Sequence, residues 1–219
     1  YRITSELTAS LANHTLWFSQ GAKFVVDSPA SIKSLITLQL EGNDFSIEGA
    51  LKLDCQNKAF SGLVLNNISP TKSQVSLSGL DVRNCFRSST QFSGGSGVAI
   101  IGNFSKVLVE DIFIKNIHMA AGAGVSGVSG VVGLSVTRDN DNLRDSDLTI
   151  INGFNISDIY SDDVTYTVDQ DAIAVFTAYN DGTAVPRKAG AYITNGRIKN
   201  SHGRAIKCQS EWVTISNLV

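Results

Sequence analysis

Asp169-Gln170-Asp171-Ala172-Ile173-Ala174-Val175-Phe176 is answered 33 residues later by Ser201-His202-Gly203-Arg204-Ala205-Ile206-Lys207-Cys208-Gln209. At that offset Ala-Ile falls on Ala-Ile, while Asp169 meets His202, Asp171 meets Arg204 and Ala174 meets Lys207. Apolar positions repeat and polar ones change. The same phrase stands upstream as Gly62-Leu63-Val64-Leu65, Gly97-Val98-Ala99-Ile100 and Gly133-Leu134-Ser135-Val136, a small residue followed by apolar, variable, apolar. From Leu63 through Val98, Leu134 and Ile173 to Ile206 the steps are 35, 36, 39 and 33 residues.

A second phrase lies between these: Leu80-Asp81-Val82-Arg83-Asn84, Ile112-Phe113-Ile114-Lys115-Asn116, Phe154-Asn155-Ile156-Ser157-Asp158 and Gly196-Arg197-Ile198-Lys199-Asn200. Each closes a period-two alternation with Asn or Asp, which is a strand running into a turn, because those side chains hydrogen-bond nearby backbone and tolerate left-handed dihedrals. A strand-turn unit recurring every few tens of residues is the mark of a solenoid. The steps of this series run from 32 to 42 residues, too uneven for propeller blades or leucine-rich repeats. The sequence therefore predicts an all-β fold, a parallel β-helix.

In such a fold no single repeat buries its own apolar face, so each covers the next and the inward residues form columns. Leu63, Val98, Leu134, Ile173 and Ile206 are predicted to make one column, and Leu65, Ile100, Val136, Val175 and Cys208 its neighbour. Val64, Ala99, Ser135, Ala174 and Lys207 then face outward, with Asn66, Ile101, Thr137, Phe176 and Gln209, on the sheet where a ligand is expected. We read residues 1–219 as one β-helix domain, with irregular early repeats over 1–34 and regular ones over 35–219. The pattern is still running at Trp212 to Val219 without a polar cap, so a longer parent chain is expected.

Composition narrows the function. With 42% apolar residues a sizeable core is available, whereas 17% charged residues and a net charge of −2 supply no basic field for nucleic acid or an anionic membrane. No apolar run of about 18 residues is present, and no secretion signal opens the chain. The three cysteines, Cys55, Cys85 and Cys208, show no CxxC or zinc spacing, and their odd number argues against a disulfide framework. Asn13, Asn67, Asn103 and Asn155 begin Asn-x-Ser/Thr triplets of the kind an Asn- and Ser-rich repeat produces by chance. The longer insertions, 86–96, 119–131, 160–171, 138–147 and 177–190, are where binding residues concentrate on a rigid scaffold. Tyr179 in the last of them offers a ring for stacking on a sugar.

These repeats, with the Asn-closed strands and Gly203-Arg204-Ala205-Ile206-Lys207, resemble the pectin-lyase-like right-handed β-helix proteins, and among them the bacteriophage tailspike polysaccharide depolymerases, over residues 35–219. The resemblance implies a homotrimeric, elongated protein on a virion tail or outside the cell that cleaves a bacterial surface polysaccharide with paired carboxylates. A narrower similarity is to the polygalacturonases: Asp171-Ala172-Ile173 stands where Asp-Gly-Ile would, Ser201-His202-Gly203 resembles Gly-His-Gly, and Arg204 to Lys207 resembles Arg-Ile-Lys. That family's adjacent Asp pair is missing.

Glycoside hydrolysis needs two carboxyl groups about 5 to 9.5 Å apart, one protonated and one ionised. Asp169 and Asp171 flank a single residue at a strand mouth, and with strands about 4.8 Å apart His202 and Arg204 would lie beside them. Asp169, Asp171 and His202 are thus the catalytic candidates, and Arg204, Lys207, Phe176, Tyr179 and Gln209 the substrate-binding ones. Asp162 and Asp163 are spare carboxyls. The same residues also permit a purely structural ion-pair ladder. No metal and no cofactor are expected. Asp139, Asp141, Asp145 and Asp147 form an acidic run, and its opening Asp139-Asn140-Asp141-Asn142 begins like a calcium loop but lacks the Gly and terminal Glu, so calcium enters only under a lyase alternative, in which Lys207 or Arg204 abstracts a proton beside a uronate. The third reading is a non-catalytic glycan-binding fibre module.

Overall fold

The computed structural model describes residues 1–219 except 12–13, 20, 90–94, 124–129, 138–145, 163–169 and 177–188. Every paired strand among the described residues is parallel to its neighbour, and no helix occurs. Two sheets share the strands. The first takes Leu7–Leu11, Ile32–Leu40, Ala59–Asn67, Ser96–Gly102, Val131–Thr137, Gln170–Phe176 and Ile206–Gln209 in chain order. The second takes Arg2–Ile3, Lys23–Val26, Leu51–Asp54, Leu80–Arg87, Phe104–Met119, Leu148–Ser161, Gly190–Ser201 and Trp212–Leu218. A branch of His14–Phe18, Phe45–Gly49 and Ser73–Ser78 joins the second sheet at Phe104–Met119. The chain visits the two sheets alternately and returns each time beside its previous pass, an arrangement compatible with a parallel β-helix. Strands at 2–26 already belong to both sheets, so pairing begins well before residue 35.

The register follows the repeated phrase. Leu63 pairs with Val98, Val98 with Leu134, Leu134 with Ile173 and Ile173 with Ile206. The first four are fully buried and Ile206 is half-buried. Leu65, Ile100, Val136 and Val175 form the parallel buried column, closed by half-buried Cys208. The second sheet packs its own in-register column against them, with Leu53, Val82, Ile114 and Ile156 buried and half-buried Ile198 closing it. Alternation thus puts one apolar face of each sheet against the other, and dispersion and dehydration hold them together.

The small residue that opens each phrase is a packing requirement. A Cβ on Gly97 would lie 2.6 Å from Ile114 Cγ2 and 2.7 Å from the Gly133 carbonyl oxygen, and one on Gly62 2.3 Å from Val82 Cγ1. The sheets meet here too closely for a methyl group. Gly97→Ala is expected to cost about 2 kcal/mol through overpacking, seen as a lower urea midpoint with an unchanged slope.

Two columns of left-handed residues bend the second sheet. Asn84, Asn116, Asp158 and Asn200 have φ of 59°, 59°, 60° and 54°. A second column, Gly49, Gly79, Asp111, Gly153, Asn195 and Asn217, is also at positive φ. Its members are of three residue types, and at its far end Asn195 Nδ2 donates to Asn152 Oδ1 at 2.8 Å and Asn217 Nδ2 to Asn195 Oδ1 at 3.0 Å. Of the Asn-x-Ser/Thr triplets, Asn67 is fully buried and its amide is consumed by the backbone at Gly42, Ser69, Thr71 and Asn103. Asn103 is also buried, Asn155 is exposed, and Asn13 lies outside the described residues.

Candidate functional site

The Asn-closed turns carry more than a bend. Two residues beyond each, alternation returns a side chain to the same face, and those positions hold Phe86, His118, Tyr160 and His202. Phe86 pairs with His118 and His118 with Tyr160 in register. Their rings therefore form a row with centroids 4.9, 4.2 and 5.7 Å apart, in which His118 and Tyr160 stack at 18° while the Phe86–His118 and Tyr160–His202 planes are tilted by 39° and 53°. Beneath them the turn residues form an amide ladder. Asn84 Nδ2 donates to Asp54 Oδ1 at 2.9 Å, Asn116 Nδ2 to Asn84 Oδ1 at 2.9 Å, and Asn200 Nδ2 to Asp158 Oδ1 at 2.8 Å. The Tyr160 hydroxyl ties the two ladders by donating to Asn116 Oδ1 at 3.2 Å.

Between the ladders lies an open cleft of ≈ 580 Å³ lined by Asn84, Lys115, Asn116, Asp158, Tyr160, Asn200 and His202. Burial, followed by the negative charges of Asp162 and Asp158, pushes the Tyr160 hydroxyl above its ordinary value. Asp162 brings Oδ2 within 2.9 Å of His118 Nε2, without the alignment of a hydrogen bond, and its side chain stays 54% exposed. The cleft offers ring faces, amides, an ammonium and a carboxylate on one side of the molecule. Ring faces cover the apolar faces of sugars, and amides and carboxylates satisfy their hydroxyls.

At the start of the ladder Asp54 is buried. Burial raises its carboxyl, but hydrogen bonds from Asn84, Lys23 and Gln56 outweigh that and leave it below the usual Asp range. A carboxyl lowered on folding adds stability that is present above its unfolded value, about 3.9, and is lost as pH falls through the folded value. The stability gap between wild type and Asp54→Asn should therefore be full at neutral pH and close in acid, as read from urea midpoints measured across that range.

On the face singled out by the sequence, Arg204 stands beside Asp171 as the 33-residue offset implied. Arg204 donates Nε to Asp171 Oδ1 at 2.7 Å and Nη2 to Oδ2 at 3.3 Å, a two-point pair across neighbouring strands. The Asp171 side chain is 0% exposed and that of Arg204 48%. The ion pair that the residues allowed is thus formed, with its carboxylate inside. Of the outward row, Ala99, Ser135 and Ala174 are buried, Val64 and Lys207 half-buried. Lys207 Nζ lies 4.9 Å from the Phe176 ring centroid, a cation-π contact, and Gln209 is exposed. Asp169, Tyr179, Asp163, Asp139, Asp141 and Asp145 lie outside the described residues. Asp147 pairs with Lys72. His202 packs its ring against Tyr160 at a centroid distance of 5.7 Å.

The chain matches no protein-family model, no curated protein and no solved structure. Among the described residues no group of three or more His, Cys, Asp or Glu is placed to hold a metal ion, and no helix is long and apolar enough to cross a membrane. Sequence reasoning found His202 and missed Tyr160, His118 and Phe86. The signal was present: an aromatic or imidazole ring stands two places after each Asn or Asp that closes the second phrase.

Proposed function

We propose that this chain is a right-handed parallel β-helix of the pectin-lyase-like kind that binds an extended polysaccharide and cleaves it hydrolytically, as tailspike depolymerases do. The observation that carries the reading is the cleft between the stacked rings and the amide ladder, whose residues recur at the strand spacing and so present equivalent contacts to successive sugars. For cleavage two carboxyl groups are needed. On this face Asp162 is the more accessible one, and Asp158, whose charge also reaches the Tyr160 hydroxyl, lines the cleft. Asp171, paired with Arg204, supports the neighbouring strands, and Asp169 is its partner should chemistry run on that face.

Incubation with a panel of capsular and lipopolysaccharide glycans separates the readings. New reducing ends without ultraviolet absorbance support hydrolysis, absorbance from an unsaturated sugar replaces it with elimination by Lys207 or Arg204, and binding without fragments leaves a fibre module. That last reading has one observation in its favour, the complete burial of Asp171.

A homotrimer in the full-length protein, on a virion tail or outside the cell, belongs to the same proposal. Its support is the exposed apolar surface at Trp17 and Tyr192, since such side chains gain by being covered. Ile101 and Phe176, which the sequence pointed to, are half-buried. Light scattering on the full-length chain should give three times the chain mass; a monomer would overturn the assembly.

A further inference from the structure

Cys55 and Cys85 lie in consecutive repeats, where the Cys55 amide donates to the Arg83 carbonyl at 2.9 Å and the Asn57 amide to the Asn84 carbonyl at 2.8 Å. Both side chains turn inward and are 0% exposed. Their Sγ atoms are 2.9 Å apart, nearer than unbonded sulfurs rest and within a small displacement of the bonded length of about 2.0 Å. Sequence composition pointed away from disulfides because the cysteine count is odd, but the odd residue is accounted for: Cys208 is half-buried in a different sheet and bonds Ser210. That leaves two thiols already in contact across two repeats.

We propose that Cys55 and Cys85 are a modification site, joined as an intrachain disulfide that staples consecutive repeats when the protein folds in the presence of a low-molecular-weight disulfide. In the first exchange one cysteine thiolate attacks the oxidant, forming a mixed disulfide and releasing one small thiol. In the second, the other cysteine thiolate displaces the second small thiol and closes the Sγ–Sγ bond. The two protons go to solvent or to the released thiolates, the cysteines are oxidised and the small disulfide is reduced. Burial pushes the Cys55 thiol well up, and the neighbouring Cys85 sulfur adds to it. Thiolate is therefore scarce in the folded protein, and the bond should form during folding and afterwards resist reductant until the chain opens.

The test refolds the whole chain in a glutathione and glutathione-disulfide buffer, then blocks free thiols with an alkylating agent in denaturant. Expected are an intact mass lighter by two hydrogens before alkylation, one alkyl group on Cys208, and a non-reduced digest in which the peptide bearing Cys55 is linked to that bearing Cys85. Reductant added in denaturant before refolding should lower the melting temperature of wild type by several degrees and leave that of Cys55→Ala/Cys85→Ala unchanged. Alkylation of all three cysteines after oxidative refolding, or a linkage through Cys208, would overturn the proposal.

Discussion

Arg204→Ala is expected to lower the folding stability by about 3 kcal/mol, because it leaves a carboxylate inside without its counter-charge. The asymmetry of the pair sets the size. Asp171 is 0% exposed and Arg204 48%, so the guanidinium is already half in water and the carboxylate has no such recourse. Asp171→Ala should accordingly cost only about 1 kcal/mol, and Asp171→Ala/Arg204→Ala should recover most of the loss seen in Arg204→Ala. Urea unfolding of the four proteins gives the cycle. Equal losses from the two single substitutions would mean that the carboxylate reaches water in solution.

The second large effect concerns chemistry. Asp162→Asn is expected to reduce glycan cleavage by about a hundred- to ten-thousand-fold, the usual range for loss of a general acid or base, while the melting temperature stays near that of wild type because its side chain is 54% exposed. Asp171→Asn should retain cleavage, since a group with no exposed surface cannot touch a sugar. The comparison locates the site. Retained cleavage in Asp162→Asn with loss in Asp171→Asn and Asp169→Asn would move the reaction to the face of the Asp171–Arg204 pair.

The order of the columns was legible from Leu63 to Ile206 because strand register is a local property: a period-two phrase with a small residue at its head can stack on its copies in only one way without turning apolar groups outward. The Asn84, Asn116, Asp158 and Asn200 turns were legible for a related reason, as Asn and Asp are the non-glycine residues that most easily take positive φ. By itself, then, the sequence determined the strand phrases, their offsets, the inward columns and one of the two bends. The other bend stayed hidden because Gly49, Gly79, Asp111, Gly153, Asn195 and Asn217 reach the same dihedral with three residue types. Only the tertiary structure decided which outward positions meet water. Ala99, Ser135 and Ala174 have the alternation of exposed residues and are buried, and Asp171 reads as a strand-mouth acid yet lies inside, since exposure depends on what packs over a strand and periodicity along it carries no such information. The ring ladder was decided at the same level: Phe86, His118, Tyr160 and His202 are separated by 32, 42 and 42 residues and become one surface when the strands carrying them come into register.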